Sequence, residues 1–379
     1  MTKKRRNLFC ARILCASILF SLAAPVSAEE TASAVSVEAP EYVLMEPETG
    51  TVILEKDKDV PRSPASVTKV MTLLLIFEEI EKGNLKLDDT VITSAHAKSM
   101  GGSQVFLEEG ETQTVETMIK CIVIASGNDA SVAMAEHIAG NEPEFVNAMN
   151  KKAQALGMKN THFVDCCGLT DSDDHYTTAY DIALMSRELI RKYPEILNYS
   201  SVWMDTITHN TRQGSKEFGL SNTNRLIRTY EGCVGLKTGS TSKAKFCVSA
   251  VAKRKGITLI AVVMAAPDSR TRVKDASMLF DYGFAKCSLY TDENPGKLPD
   301  LKVIKGIKEK TTLTFGKTFR CLSTDGTTFD KIKKKLILPN EVKAPVKKGQ
   351  KAGELVYYQE NRELGRIPVI YAENVKKAG

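Results

Sequence analysis

Pro64-Ala65-Ser66-Val67-Thr68-Lys69-Val70-Met71-Thr72 opens an apolar run that continues through Leu73, Leu74, Leu75, Ile76 and Phe77. Residues three apart share a helix face, so on a helix Ser66 and Lys69 stand side by side. Pro64 suits a helix start. A serine there lies at the positive end of the helix dipole, which favours negative charge near its oxygen. A neighbouring amine, kept neutral, can take the serine's proton. The run is apolar all round, which predicts a buried helix. A lysine on a buried helix needs a reason. Ser-x-x-Lys also occurs at Ser240/Lys243 and Ser242/Lys245, so one copy alone reads first as a helix start with a solvated lysine.

Outward from that helix the chain alternates in character. Residues 42–45 and 51–54 read as strands turning at Pro47-Glu48-Thr49-Gly50. The helix is expected to end near Lys82, with Gly83 just beyond it. Helical runs follow at residues 115–125, 129–138, 142–156 and 179–192, the first two separated by Ser126-Gly127-Asn128. Strand character returns at residues 233–236, 246–251 and 257–264, and residues 271–284 read as a closing helix. Early strands, helices, then late strands predict one sheet built from both chain ends with a helical insertion. After about Tyr290, short runs at residues 301–304, 311–315, 335–338, 354–358 and 367–371 alternate with Gly, Pro and Lys-rich turns, which predicts a separate all-β domain. The run Lys331 to Lys335 reads as a solvated strand face or turn, with an anionic wall polymer as the sharper alternative.

The 379 residues are 42% hydrophobic and 26% charged, enough for a sizeable core and two domains. Lys3, Lys4, Arg5 and Arg6, an apolar stretch over residues 13–24, and Val26-Ser27-Ala28 read as a secretory signal peptide cleaved after Ala28. Its removal leaves 47 basic against 46 acidic residues, so the overall +6 is no argument for a nucleic-acid partner. The expected division is a signal peptide at 1–28, a flexible lead-in at 29–40, a catalytic domain at 41–288 and a β-sandwich-like domain at 289–379. Seven cysteines remain beyond the signal segment. An odd number, with Cys166 and Cys167 adjacent, is not a disulfide framework, and no Cys/His spacing suits zinc. No metal or cofactor is implied. His96, His137, His162, His175 and His209 are scattered and read as structural, with His175 the one able to line a site loop.

Three polar signals stand in chain order: Ser66-x-x-Lys69, Ser126-x-Asn128 and Lys237-Thr238-Gly239. The second and third occur once each. Their order and settings resemble the serine penicillin-recognising enzymes. The stretches Ser126-Gly127-Asn128-Asp129-Ala130, Gly168-Leu169, His175-Tyr176-Thr177-Thr178-Ala179 and Asp281-Tyr282-Gly283-Phe284 narrow the likeness. With the 64–72 stretch, they look like the low-molecular-mass D-alanyl-D-alanine carboxypeptidases, from about Ala39 to the C-terminus. The resemblance implies a β-lactamase/transpeptidase-like α/β domain, an antiparallel sheet flanked by helices with a helical insertion, plus a C-terminal all-β domain.

It also implies roles. Ser66 attacks the penultimate D-alanine carbonyl of a peptidoglycan stem and becomes acylated. Lys69 is the base, kept neutral by desolvation and by the charge of Lys237. Ser126 relays a proton to the departing D-alanine. Asn128 holds Lys69 and the substrate amide. Lys237 and Thr238 bind the terminal carboxylate, and Gly239 lets the strand approach the substrate. The backbone N–H groups of Ser66 and Ser240 form an oxyanion hole. Arg272 either adds positive charge for the carboxylate or is a surface arginine opening a helix. β-Lactam antibiotics are expected inhibitors, and peripheral association with the cell envelope is expected outside the cytoplasm.

Two rivals stand beside that reading. A class A-like β-lactamase adds a glutamate that activates the deacylating water, but Glu142 and Glu144 read as first-turn acids of a helix. A non-catalytic penicillin-sensing or wall-binding protein need not retain a nucleophile and base. Two departures from the family are visible. Ala244-Lys245 replaces an Ala-Gly pair, and residues 369–379 are too short for the amphipathic anchor helix that many relatives carry.

Overall fold

The computed structural model describes residues 35–211 and 214–379, and Val35–Gly379 form one compact unit. The expected signal peptide and most of the lead-in lie outside the described residues. The end of the lead-in is tied down, because the amides of Glu38 and Ala39 donate to the Asp275 carboxylate.

The central sheet joins β1 (Glu41–Glu46), β2 (Thr51–Lys56), β3 (Cys233–Thr241), β4 (Lys245–Arg254) and β5 (Ile257–Ala266). Its order is β2-β1-β5-β4-β3, antiparallel throughout. Both chain ends therefore meet at the β1–β5 pair, as the two sets of apolar runs predict. In β5 the period of two sends Ile260, Val262 and Met264 into one core and Leu259, Ala261 and Val263 into the other. Both sides are covered, so these strands are almost continuously apolar.

The larger core surrounds α1 (Lys69–Glu81), in which every residue from Lys69 to Phe77 is buried. Each Leu, Val or Ile fully buried there contributes roughly 1.5–3 kcal/mol. Around it pack α2 (Val115–Val123), α3 (Asn128–Ala139), α4 (Glu142–Ala155) and α5 (Ala179–Lys192). Thr114, Asn141 and Thr178 cap the N-termini of α2, α4 and α5 with side-chain oxygens. The second core lies under α6 (Ser269–Lys286), capped by Asp268.

Sequence reasoning missed a hairpin, Met204–Thr211 with Gly214–Ser221, and a small pair, Thr90–Ile92 with Thr112–Thr114. The C-terminal part is all β. Its four-stranded sheet runs Leu313–Phe315, Arg362–Tyr371, Lys351–Gln359, Lys333–Ile337, beside a three-stranded sheet and a two-stranded pair. Lys333–Ile337 is an exposed edge strand. Edge strands are commonly protected from further pairing by lysines.

Candidate active site

The turn that carries Ser66 is not the first turn of an α-helix. Ala65–Thr68 form one 3₁₀ turn that feeds α1, and Ala65 sits in the left-handed region at φ +49°. The chain is thereby bent so that Ser66 is the single residue between Ser63 and Phe77 that is not buried. Gly168 makes the bend possible. A Cβ there would lie 1.8 Å from the Ala65 carbonyl oxygen and 2.7 Å from Thr68 Oγ1, and its own φ is +76°. Only glycine meets both demands. Below the turn, Val164 N–H donates to His175 Nδ1, so the imidazole hydrogen sits on Nε2, 2.8 Å from Thr68 Oγ1. His175 is buried, and burial pushes its pKa down. It is a neutral brace for the turn.

Lys69 is completely buried, and its Nζ has three partners. Ser66 Oγ is at 2.9 Å, Asn128 Oδ1 at 2.6 Å and the Cys167 carbonyl at 2.8 Å. The last two can only accept. A neutral amine has two hydrogens and one lone pair. Once the hydrogens go to Asn128 and Cys167, the lone pair faces the Ser66 hydroxyl. The neutral form is the one burial favours, and burial pushes the Lys69 pKa below its ordinary value.

Sequence reasoning missed the parts that hold this amine from behind. Asp165 folds residues 165–170 into a tight loop by accepting from the amides of Cys167 and Thr170 at 2.9 and 2.8 Å. Cys166 accepts from Thr72 Oγ1, and its amide donates to Glu142 Oε1 at 3.0 Å. Backbone carbonyls carry no sequence signature. The Asp-Cys-Cys-Gly order, an Asx-type turn before a positive-φ glycine, is the signal that was available.

Ser126 stands in the break between α2 and α3, almost fully buried, with φ +62°. A non-glycine residue in that region is strained by about 1–2 kcal/mol. Its hydroxyl has no hydrogen-bond partner among the described residues. Asn128 opens α3, with its side chain turned to Lys69. Its Oδ1 holds Lys69, and its Nδ2 donates one hydrogen to the Gly101 carbonyl at 2.8 Å, which leaves the second hydrogen of that nitrogen.

Strand β3 forms the opposite wall. Lys237 is buried, and its Nζ donates to its neighbour's carbonyl, Thr238 O, at 2.8 Å. Burial lowers its pKa well below the ordinary value, and the charges of Lys69 and Arg272 lower it further. Burial is the largest cause of the depression at both lysines, and two buried cations at one site disfavour each other's charged form. Thr238 Oγ1 donates to Thr223 Oγ1 at 2.7 Å. Gly239 serves a closer contact than the one expected of it. A Cβ there would lie 2.7 Å from Pro64 O, 2.8 Å from Ser66 N and 2.9 Å from Val67 N. The missing side chain lets β3 lie against the Ser66 amide, and Ser240 follows at the exposed surface.

Arg272 is not a surface residue. It is 8% exposed, its Nη1 reaches the carbonyls of Gly239 and Cys247 at 3.4 and 3.3 Å, and its guanidinium lies over Phe246. It props β3 and β4 through their carbonyls. The other two Ser-x-x-Lys copies fall on the β3–β4 hairpin, where Lys243 Nζ reaches across to Asp171 O and Asp173 Oδ1 at 2.8 and 2.6 Å. Lys245 there takes φ +58°, a conformation in which glycine is unstrained. Glu142 lies in the first turn of α4 as expected, with both oxygens occupied, by Cys166 N–H and His96 Nε2. All seven described cysteines are free, and burial pushes the Cys233 and Cys247 thiols up to about 11, unsuited to nucleophilic work at neutral pH.

Residues 28–268 match the family model described as D-alanyl-D-alanine carboxypeptidase. The chain belongs to that family. Residues 292–377 match a second model, the C-terminal domain of penicillin-binding protein 5. The carboxypeptidase DacF of Bacillus subtilis is 43% identical over 343 residues, covering 90% of this chain and 87% of that protein. Escherichia coli DacA is 31% identical over 346 residues, covering 89% and 84%. The crystal structure of penicillin-binding protein 5 from Haemophilus influenzae superposes with a TM-score of 0.66 at 29% identity, covering 90% of this chain and 98% of that one. The fold is therefore the penicillin-recognising α/β domain followed by an all-β domain. Among the described residues no helix is long and apolar enough to cross a membrane.

Proposed function

We propose that this D-alanyl-D-alanine carboxypeptidase removes the terminal D-alanine from peptidoglycan stem pentapeptides through an acyl-enzyme on Ser66. The observation that carries the mechanism is the Lys69 amine, 2.9 Å from Ser66 Oγ, with both other partners obligate acceptors.

Ser66 Oγ attacks the carbonyl carbon of the penultimate D-alanine, and its proton passes to the lone pair of Lys69. The developing oxyanion faces the amides of Ser66 and Ser240. The resulting ammonium returns the proton through the Ser126 hydroxyl to the leaving nitrogen, and D-alanine departs as the C–N bond breaks. Lys237, with Thr238 beside it, receives the substrate's terminal carboxylate. That negative charge stabilises the ammonium of Lys237, whose pKa is depressed in its absence. Water then cleaves the ester, with Lys69 again as base, and frees Ser66 and the shortened peptide.

The carboxylates packed behind the site support slow hydrolysis of penicillins rather than rapid turnover. Asp129 accepts from the amides of Val105, Leu107 and Ala130, Asp165 holds its loop, and both Glu142 oxygens are occupied. A class A-like enzyme needs a glutamate free to activate water. The substrate lies in the cell wall, so the enzyme works outside the cytoplasm, exported by residues 1–28, and β-lactams inhibit it by acylating Ser66.

The test is D-alanine release from a pentapeptide, followed against pH, with penicillin turnover alongside. Release is expected, with an acid limb of kcat/KM below 10.5, the ordinary lysine value. The sign follows from the role: protonation of Lys69 removes the base, so the rate falls as pH drops through its pKa. Penicillin hydrolysis outrunning D-alanine release would make the protein a β-lactamase. Penicillin acylation without any release would make it a sensor.

A further inference from the structure

The hairpin Met204–Thr211/Gly214–Ser221 and the loop before the strand Thr112–Thr114 leave a cleft of about 420 Å³ between them. That is within the range of small-molecule sites, roughly 300–1,000 Å³. Both walls start at the active site. The carbonyls of Gly101 and Ser103 accept from the side chain and the backbone amide of Asn128, and Thr223, just past the hairpin, bonds Thr238. The mechanism above makes no use of the cleft itself.

Three rings line it in series. Phe106 and Phe218 meet edge to face with centroids 5.7 Å apart, and Phe218 meets His209 in the same way at 5.6 Å. Phe106 is 62% exposed, although Val105 and Leu107 on either side are buried. The amides of those two neighbours donate to Asp129, and Phe106 takes φ +62° between them. A strain of about 1–2 kcal/mol thus holds an aromatic ring out in water, and outliers of this kind gather at functional sites. Beside Phe218, His209 is 8% exposed. Its Nδ1–H donates to Glu111 Oε1 at 2.8 Å, and its Nε2, turned away from Glu111, has no partner among the described residues. Glu111 also accepts from the Glu108 amide at 2.9 Å, so one carboxylate fastens the loop to the hairpin and the cleft is preformed.

The lining narrows the class of ligand. Glu108 is paired with Lys98, and Lys216 adjoins Glu217, so the cleft carries little net charge with which to hold a polyanion or polycation. A purely apolar ligand would leave His209 Nε2 buried without a partner. A pyranose ring answers both features. Its C–H face lies against an aromatic ring, and each of its hydroxyls donates and accepts, so one can pair with Nε2 whether or not that nitrogen carries a hydrogen. We propose that this cleft binds an N-acetylated sugar of the peptidoglycan glycan strand. The choice of polymer rests on the carboxypeptidase reading; the class of ligand rests on the cleft.

The experiment is titration of the protein without residues 1–28 with chitotetraose, the tetramer of N-acetylglucosamine, followed by calorimetry. Saturable binding is expected. Phe106→Ala is expected to weaken it about fivefold, the worth of one aromatic contact, and Phe106→Trp to keep it. Phe106 is exposed, and thermal unfolding of each variant checks that the fold is retained. A second readout is the KM for D-alanine release from insoluble, pentapeptide-rich peptidoglycan against that for the free pentapeptide. The polymer is expected to have the lower KM in the wild type, and Phe106→Ala to bring the two together. Absence of chitotetraose binding, or equal binding by wild type and Phe106→Ala, overturns the proposal. Binding that depends on Phe106 upholds it even where neither substrate releases D-alanine, a result that would sink the carboxypeptidase reading alone.

Discussion

Lys69→Arg lowers D-alanine release by about 1,000- to 10,000-fold, the range typical for loss of a positioned base beside a nucleophile. Arginine keeps a positive charge and hydrogen-bond donors but cannot be deprotonated in a protein. It therefore separates two roles for the buried cation: a point charge beside Ser66, or a proton acceptor. Lys69 is flanked by Asn128 Oδ1 and the Cys167 carbonyl, which occupy hydrogens and leave the lone pair to Ser66. Guanidinium fills the same space with donors only. Because it is larger than the amine, the variant is paired with Lys69→Met, which fits the stem without the charge. Both are expected to lose activity while retaining a cooperative thermal transition. Substantial activity in the arginine variant would mean that charge, not basicity, is what Lys69 supplies.

Gly239→Ala produces the second large effect, about 100- to 1,000-fold in kcat, because one oxyanion donor is worth that much. The added methyl would stand 2.8 Å from Ser66 N and 2.7 Å from Pro64 O. Either β3 moves away from the nucleophile turn or the turn moves away from β3, and in both cases the Ser66 amide loses its alignment. Crowding of this kind also destabilises, by about 1–3 kcal/mol. Steady-state kinetics with thermal unfolding measures both. Ser240→Ala is the control: its side chain is exposed and only its amide is used, so activity changes little. If Gly239→Ala matched the wild type, the close approach of β3 to Ser66 would have no catalytic meaning.

The parts of this architecture that were legible in the sequence are those governed by period and by order. The all-apolar face of α1 and the runs of β4 and β5 announced burial on every side. The three polar motifs announced a site through their order and settings, one opening a helix, one between two helices and one following a short apolar strand, which resemble those of the serine penicillin-recognising enzymes. What was not legible depends on chain segments distant in sequence. Gly239 reads as room for substrate until the turn at Ser66 is seen against it. Lys69 reads as one partner of Ser66, but its chemistry is set by a carbonyl at Cys167, which no side chain encodes. Arg272, two residues after another arginine at a helix start, gives no sign of being folded inward over Phe246. The hairpin at Met204–Ser221 escaped notice because its burial rests on few apolar residues, Ile207 and Leu220 among polar neighbours.

The central claim is that Ser66 is the nucleophile, presented by a left-handed bend and served by Lys69. Acyl-enzyme trapping tests it most directly. The protein is incubated with benzylpenicillin, digested and analysed by mass spectrometry, beside Ser66→Ala. The account predicts one penicilloyl adduct per chain, on the peptide containing Ser66, and none in the variant. An adduct of equal yield in Ser66→Ala, or one on another residue, would contradict it.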